Sequence, residues 1–212
     1  MKIDLHCHSK YSYDTYLEPE SVIEEAVLKG LDGVCFTEHH SIAESLPVDR
    51  IRAPENFYIF RGIEISTSCG HLLIYGLKDD TWNLWSRNHY LEVEPVIRVV
   101  HQLGGICVPA HPFRGYDSFG KAVYQLSGLD AIETHNGLNS SCQNSKALEA
   151  ARSLGLPSIG GSDCHTRDRV GAAYTKFENP VRCIEELVEE VKKGNCKGVL
   201  SCSVISSEDT VL

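Results

Sequence analysis

Short apolar runs alternate with amphipathic stretches along this chain, and the alternation predicts strands that take turns with helices. Apolar runs bounded by turn residues predict strands at residues 2–8, 33–37, 58–66, 71–75, 106–109, 131–134, 158–162, 172–177 and 197–200. Apolar residues at helical spacing predict helices at residues 18–28, 94–103, 119–126, 146–154 and 180–193. The polar and aromatic residues 79–88 predict a loop, and the tail after Ser201 is expected to be frayed.

The predicted strands are apolar throughout rather than alternately apolar and polar, which is typical of a parallel sheet covered on its outer face. Nearly every strand ends in His, Asp or Glu. Barrel enzymes collect their chemistry at the C-terminal ends of the strands. The pattern therefore predicts an α/β barrel, although 212 residues are too few for eight full units. A chain of this length is expected to form a single domain, residues 1–212.

The formal net charge of −9 argues against binding a long nucleic acid through its phosphates, which needs clustered Lys and Arg. If carboxylates hold divalent cations, the local field is positive and suits a small anionic substrate. No apolar run is long enough to span a membrane, and the chain starts directly on a predicted strand, without room for a secretory signal. The nine cysteines include no CxxC pair, which predicts reduced thiols and a cytoplasmic location.

Histidines and carboxylates at the strand ends are the candidate chemistry. His6 and His8 are two residues apart on the first predicted strand, so that they share one face with Asp4. Asp163 and His165 repeat this spacing near the other end of the chain. Each pair alone is equally consistent with ordinary polar residues. The repetition at one end of the sheet favours a metal site, for which the other candidates are Asp14, His39, Glu64, His71 and His111.

Five motifs in this order resemble the PHP family, which is named for polymerase and histidinol phosphatase. They are Asp4-Leu5-His6-Cys7-His8, Thr37-Glu38-His39, Gly62-Ile63-Glu64, Ala110-His111-Pro112 and Gly161-Ser162-Asp163-Cys164-His165. The resemblance covers nearly the whole chain. It implies a fold of the α/β class, a distorted (β/α)7 barrel, with two or three divalent transition metal ions (Mn, Fe or Zn) at its mouth.

The resemblance also implies how the ligands are divided among the metals. One ion would be held by His6, His8, Glu64 and Asp163. Glu64 would bridge to a second ion, which is also held by His71 and His111. A third would be held by Asp14, His39 and His165. Several family members have histidine in place of Asp14. A carboxylate is a harder ligand than an imidazole and carries a negative charge, so the identity and occupancy of the third metal stay open.

This ligand set predicts a phosphoesterase. Two bridged metals lower the pKa of a shared water and clamp the phosphoryl oxygens. The expected substrate is a small phosphomonoester or nucleotide-like phosphate, such as a nucleotide or sugar phosphate, with a short oligonucleotide as an alternative. Arg114 is the candidate for stabilising charge in the transition state, ahead of Arg167 and Arg169. His135 is expected to face the substrate or to orient a ligand. Neither a membrane nor an obligate protein partner is expected.

Two other functions stay open at this stage. Amidohydrolases, which hydrolyse amides or lactones, also begin with HxH on a barrel strand, but here Glu64 takes the bridging role and the last motif is Asp-x-His. A non-catalytic, metal-stabilised regulatory module is the second, because PHP domains also occur as parts of polymerases. The complete ligand set disfavours it.

Overall fold

The fold is built around a curled sheet. The structure is a computed structural model that describes residues 1–82 and 91–201. These ranges contain the strands β1 (Lys2–Cys7), β2 (Gly33–His39), β3 (Tyr58–Thr67), β4 (Gly70–Tyr75), β5 (Ile106–Pro109), β6 (Ile132–Asn136), β7 (Ser158–Gly161), β8 (Ala173–Phe177) and β9 (Cys196–Leu200). They also contain the α-helices α1 (Pro19–Leu28), α2 (Val93–Gln102), α3 (Ser141–Leu154) and α4 (Ile184–Lys193). Most of the predicted 79–88 loop and the tail after Ser201 lie outside the described residues.

Seven strands form one sheet in the order β5-β4-β3-β2-β1-β8-β9, and β6 pairs with β7. The β6–β7 pair lies between β1 and β5. On one side Cys7 at the end of β1 forms a bridge with Cys164 just after β7. On the other side the N–H of Asp130, just before β6, donates to the carbonyl of Cys107 in β5 at 3.0 Å. The strands thus curl into a barrel, which confirms the predicted α/β fold class.

The prediction of a parallel sheet is wrong for four strand pairs. β1–β2, β2–β3 and β6–β7 are parallel, but β3–β4, β4–β5, β1–β8 and β8–β9 are antiparallel. Only two residues separate β3 from β4, too few for the crossover that parallel neighbours require. The reversal places His71, near the start of β4, opposite Ser66 near the end of β3. A histidine that opens a strand therefore lies at the edge where β1, β2 and β3 end.

A bulge in β1 changes which side chains share a face. Asp4 and Cys7 are three positions apart, but their partners in β2 are two positions apart. Such an irregularity interrupts the alternation of side chains. The Asp4 carboxylate accepts the backbone N–H groups of Ser162 at 2.8 Å and Gly171 at 2.9 Å. The prediction that Asp4 shares a face with the two strand histidines is therefore wrong, and Asp4 instead ties β1 to the chain beyond β7.

α3 begins at Ser141 rather than at residue 146 because of a capping box. The hydroxyl of Ser140 accepts the N–H of Gln143 at 3.3 Å, and the Gln143 side chain accepts the N–H of Ser140 at 2.8 Å. These reciprocal bonds satisfy backbone donors that the first helical turn leaves without partners. The helix therefore includes the polar residues 141–145, where no apolar residues at helical spacing indicated a helix.

Two other predicted helices are shorter in the structure. α4 begins at Ile184 rather than at residue 180, because Cys183 still has extended backbone dihedrals. The helix predicted at residues 119–126 is instead a short 3₁₀ helix, Gly120–Tyr124. Its first residue, Gly120, has a φ of 52°. A left-handed residue of this kind interrupts an α-helix.

Alternate side chains of the barrel strands belong to separate cores. Phe60, Leu73 and Tyr75 pack in one buried cluster with Leu5 and α4 side chains such as Leu187. The neighbouring positions of β3 and β4 pack in a second cluster, with α2 and α3. α4 lies at the barrel end opposite the strand-end histidines, where Val188 approaches Gly76 just after β4. Within residues 1–82 and 91–201, no helix has the length and apolar character needed to cross a membrane.

Candidate metal centre

The structure brings the nine predicted ligands together at one end of the barrel. Seven of them line a pocket of about 240 Å³: Asp14, His39, Glu64, His71, His111, Asp163 and His165. His6 and His8 lie beneath it and are fully buried. The pocket is also lined by Tyr13, Ser66 and Arg114. Side chains from residues 6 to 165 of the chain therefore converge on one small polar cavity.

The deepest group contains His6, His8, Glu64 and Asp163, with at most 2% of any residue exposed. The Nε2 atoms of His6 and His8 are 3.1 Å apart. Glu64 Oε2 lies 3.5 Å from His6 Nε2 and 3.3 Å from His8 Nε2. Asp163 Oδ1 lies 3.4 Å and 3.3 Å from the same two nitrogens. Four ligand-type atoms thus surround one point.

Glu64 also belongs to a second group. Its Oε1 lies 3.1 Å from His71 Nδ1 and 3.0 Å from His111 Nε2. Since Oε2 faces the deepest group, the two oxygens of one carboxylate face two different sets of imidazoles. This is the arrangement that a bridging ligand requires.

The third group lies nearer the solvent. Asp14 Oδ2 is 3.1 Å from His39 Nε2 and 3.0 Å from His165 Nε2. A ring nitrogen of His8 lies within 4.8 Å of those of His39 and His165. His8 thus borders two groups, and Asp14 adds a carboxylate on the solvent side.

The deepest group favours positive charge. Burial alone would raise the pKa of Glu64, but the charge of His6 and hydrogen bonds from His111 and His6 hold it well below its ordinary value. Burial alone would lower the pKa of His8, but hydrogen bonds to Asp163 and Glu64 raise it to about 10. The carboxylates therefore stay ionised and attract a cation, whether a proton or a metal ion.

In the outer group the pKa shift of a histidine has the opposite direction to that of His8. Burial, together with the charge of His8, lowers the pKa of His39 to about 4 against the opposing effects of Glu64 and Asp14. His39 is therefore a neutral imidazole near neutral pH. A neutral imidazole is the form that binds a metal.

Hydrogen bonds behind the strand histidines fix their tautomers. His6 Nδ1 lies 2.8 Å from Glu133 Oε1 and must donate its proton there, because a carboxylate only accepts. His8 Nδ1 lies 3.0 Å from the hydroxyl oxygen of Ser12, which donates its own proton to Glu38. When both rings are neutral, as metal binding requires, their Nε2 lone pairs face each other and two carboxylates. Such a donor set fits a divalent metal ion, and histidine ligands typically have such partners behind them.

His111 and Asp163 hold unusual backbone conformations. Their φ angles are 31° and 56°, in the left-handed region that non-glycine residues rarely adopt. The N–H of His111 donates to Glu133 Oε2 at 2.6 Å, and that of Asp163 donates to the carbonyl of His6 at 2.7 Å. Two candidate ligands are thus kept strained by bonds to the rest of the centre, as is common at functional sites.

Glu133 and Asn136 were missed by the sequence-based reasoning. Glu133 is fully buried in β6, and the Asn136 amide donates to Glu133 Oε2 at 3.1 Å and to Asp163 Oδ2 at 3.3 Å. Glu133 and His135 are two positions apart, but their partners in β7 are adjacent. The bulge brings Asn136 to the face of Glu133. A charged residue in an apolar strand was the available signal for Glu133.

The same bulge places His135 outside the pocket lining. Its Nδ1 lies 2.7 Å from the hydroxyl of Thr134, and a Cβ built on Gly198 of β9 would come within 2.7 Å of the same nitrogen. His135 therefore packs towards β9, and the expected contact with substrate has no support in this geometry.

Arg114 lies in the pocket and is held by three side chains. Nη2 donates to Asp163 Oδ2 at 2.7 Å and to Asn136 Oδ1 at 2.6 Å, and Nε donates to Asn139 Oδ1 at 2.9 Å. The guanidinium plane is therefore fixed beside a candidate ligand.

The two alternative arginines do not line the pocket. Arg167 pairs with Glu24 and Glu25 on α1, and Arg169 with Asp168. Both guanidinium groups are nearly half exposed. This geometry favours Arg114 over either of them.

The comparison with family models decides the family. Residues 4–114, just over half of the chain, match the model of the PHP domain. The chain belongs to the PHP family. Residues 142–196 match a second model, described as PHP-associated. The recognition made from the five motifs is thus confirmed.

Among named relatives, histidinol-phosphatase of Lactococcus lactis is 26% identical over 151 residues, 66% of this chain and 55% of the relative. A two-domain protein from Bacteroides vulgatus, described as containing a predicted PHP-like metal-dependent phosphoesterase, superposes with a TM-score of 0.69 at 21% identity, covering 94% of this chain and 64% of that one. A lesion-specific endonuclease from Pyrococcus furiosus gives 0.68 at 19% identity, covering 93% and 57%. The chain spans less than two thirds of each of these three proteins, and the two solved structures support the fold.

Proposed function

We propose that this PHP protein is a metal-dependent phosphoric ester hydrolase that acts on a small phosphomonoester or nucleotide-like phosphate. The observation that carries the proposal is Glu64, whose two oxygens face two separate sets of imidazole nitrogens. This arrangement suits a pair of metal ions joined by one carboxylate. Divalent ions, when bound, lower the pKa of water and draw charge from phosphoryl oxygens.

In this proposal the nine candidate ligands divide as the family resemblance implies. His6, His8, Glu64 and Asp163 would hold one ion, and Glu64, His71 and His111 a second. Asp14, His39 and His165 would hold a third, with His8 at its border. The mixture of imidazole and carboxylate suits Mn, Fe or Zn. Hydrogen bonds within the protein fix the orientation of these side chains: Glu133 binds Nδ1 of His6, and the Ser12 hydroxyl binds Nδ1 of His8.

Arg114 is proposed as the group that binds the phosphate. Its Nε and Nη2 donate to protein oxygens, and among the described residues no hydrogen bond is found for Nη1. A guanidinium fixed in this way presents a preorganised donor to the pocket at no further ordering cost.

A small phosphate ester fits the rest of the centre. A cavity of about 240 Å³ lies below the usual range for drug-sized ligands, roughly 300–1,000 Å³. The net charge of −9 does not favour a long polyanion. The names of two relatives, a phosphatase and an endonuclease, both denote hydrolysis of phosphate esters. A cytoplasmic location and the absence of an obligate partner remain part of the proposal.

A phosphate-release screen tests the function. Purified protein is stripped with a chelator, reloaded separately with Mn, Fe or Zn, and assayed on nucleotides, sugar phosphates and short oligonucleotides. We expect phosphate release that needs metal and that disappears in Glu64→Ala. A parallel panel of amides and lactones covers the amidohydrolase alternative. Hydrolysis of that panel alone, or metal loading without hydrolysis of either panel, would overturn the proposal.

A further inference from the structure

Three tyrosines are the most exposed large apolar side chains of the part of the chain that the structure describes. Tyr16 is 98% exposed, Tyr116 91% and Tyr13 79%. Isolated apolar residues on a surface need no explanation, whereas a group of them beside a cleft marks a binding site. All three lie within two residues of a side chain that lines the pocket, namely Asp14 or Arg114.

Tyr13 lies on the rim of the pocket itself. It lines the cavity, and its ring centroid is 5.3 Å from that of His39 at an interplanar angle of 38°. The loop that carries it is closed by the N–H of Lys10, which donates to the carbonyl of Leu17 at 2.8 Å. The N–H of Ser9 donates to Glu38 at 3.1 Å below the loop. The ring is thus presented to solvent by a loop fixed at its base.

Tyr116 is presented by a second closed loop. The N–H of Gly120 donates to the carbonyl of Pro112 at 2.7 Å, and the hydroxyl of Ser118 donates to the carbonyl of Gly115 at 2.6 Å. The next residue after Tyr116, Asp117, accepts the N–H of His71 at 3.3 Å. Tyr116 therefore lies between Arg114, which lines the pocket, and Asp117, whose carbonyl binds the backbone of the pocket residue His71.

The size of the cavity places the rest of a substrate at this rim. With the phosphate beside Arg114 and the histidines, a space of about 240 Å³ leaves little room for the remainder of the molecule. That remainder must extend out of the mouth, where Tyr13 lies on the rim and the loop that carries Tyr116 begins beside Arg114. Aromatic rings bind planar rings by stacking, with little dependence on which ring is bound.

We propose that Tyr13 and Tyr116 form a stacking site for a planar ring carried by the phosphate ester in the pocket. The inference rests on the proposed function, because it takes phosphate to be the group bound beside Arg114. The substrate class is then a small phosphomonoester with an aromatic or heteroaromatic ring, rather than a sugar phosphate without one. A longer nucleic acid is disfavoured by the net charge of −9.

The test uses two probes that share the ribose phosphate and differ in the planar adenine base, adenosine 5′-monophosphate and ribose 5-phosphate. Equilibrium binding and kcat/KM are measured on metal-loaded protein, and the ratio of the first probe to the second is compared among variants. Tyr13→Ala with Tyr116→Ala should lower both ratios by about fivefold to 150-fold, the range expected for the loss of stacking. Tyr13→Phe with Tyr116→Phe should keep them, since the ring and not the hydroxyl makes the contact.

Tyr124→Ala is the matched control, because Tyr124 is 44% exposed and is not among the residues that line the pocket. It should leave both ratios unchanged. Equal binding of the two probes by the wild-type protein, or an unchanged ratio in the double Ala variant, overturns the stacking site even where phosphate is released. Conversely, ring-dependent binding that responds to the tyrosines without hydrolysis of any ester supports the site and overturns the proposed activity.

Discussion

β3 and β6 each carry one buried carboxylate at the same end of the barrel, yet the two carboxylates do different work. Glu64 in β3 is 2% exposed and faces imidazole nitrogens on the pocket side. Glu133 in β6 is fully buried and faces the opposite nitrogen of His6 and the backbone of His111. β3 pairs with both neighbours without irregularity, whereas β6 has a bulge beside Glu133. The side of the imidazole that a carboxylate faces thus separates a candidate ligand, Glu64, from a residue that positions candidate ligands, Glu133.

The largest effect is expected at Glu64. Glu64→Ala removes the oxygens that two ligand groups share, so turnover should fall by roughly a thousandfold or more, beyond the loss typical of a single donor. Asp14→Ala affects only the outer group and should cost much less. Turnover and metal content per chain are measured for both variants. Equal losses would show that Glu64 does not have a bridging role.

Arg114→Ala should lower kcat/KM by roughly 10-fold to 1,000-fold, the scale of one lost preorganised donor to a developing anion. Metal content should change little, because the Asn136 amide still donates to Asp163. Arg114→Lys should recover only part of the activity, since an ammonium lacks the planar fork of a guanidinium. If metal and activity instead fall together in Arg114→Ala, the arginine acts only by positioning Asp163.

Glu133→Gln should weaken metal binding by about 10-fold to 100-fold, as is typical when the partner behind a histidine ligand is lost. Both oxygens of Glu133 accept hydrogen bonds, from His6 Nδ1 and the His111 N–H. An amide offers one oxygen, so one of these donors must face an NH₂ group. Metal affinity is measured by competition with a chelator. Glu190→Gln is the control, because Glu190 pairs with Asn179 and Asn195 at α4. Equal metal affinities in the wild type and Glu133→Gln would show that Glu133 is an ordinary buried carboxylate that does not position the candidate ligands.

The smallest effect is expected at His135. Burial lowers the pKa of His135 below its ordinary value, so between the two values the unfolded chain binds a proton and the folded chain does not. This contribution to stability is complete above the ordinary pKa, near 6.5, and decreases as pH falls below it. His135→Gln should therefore lose less unfolding free energy than the wild type between about pH 7.5 and 5.5. Urea titrations at both pH values measure it, and identical losses in the two proteins would contradict a buried neutral imidazole.

The alternation of apolar runs with amphipathic stretches, together with the order of the motifs, was enough to predict most of the fold and the whole set of candidate ligands. Glu64 could be found from the sequence because β3 is regular, so that its side chain faces away from those of Ile63 and Ile65, which pack with α2 and α3. The sequence could not reveal the bulges in β1 and β6, which depend on the partner strands. For this reason Asp4 was assigned to the wrong face, the predicted contact of His135 with substrate has no support in the geometry, and Glu133 and Asn136 were missed. The antiparallel β4 was hidden because its apolar run resembles that of a parallel strand.

The reversal of β4 also bears on how the centre assembles during folding. Glu64 and His71 are seven positions apart in a tight hairpin, so the short loop between them costs little entropy to close. Asp14 and His165 are 151 positions apart, and their approach must wait until nearly the whole chain has been made. Metal ions bound only by the closed centre would hold the first strand to the last third of the chain. Their removal should therefore loosen the N-terminal strand before the hairpin, with faster amide hydrogen exchange in β1 than in β3.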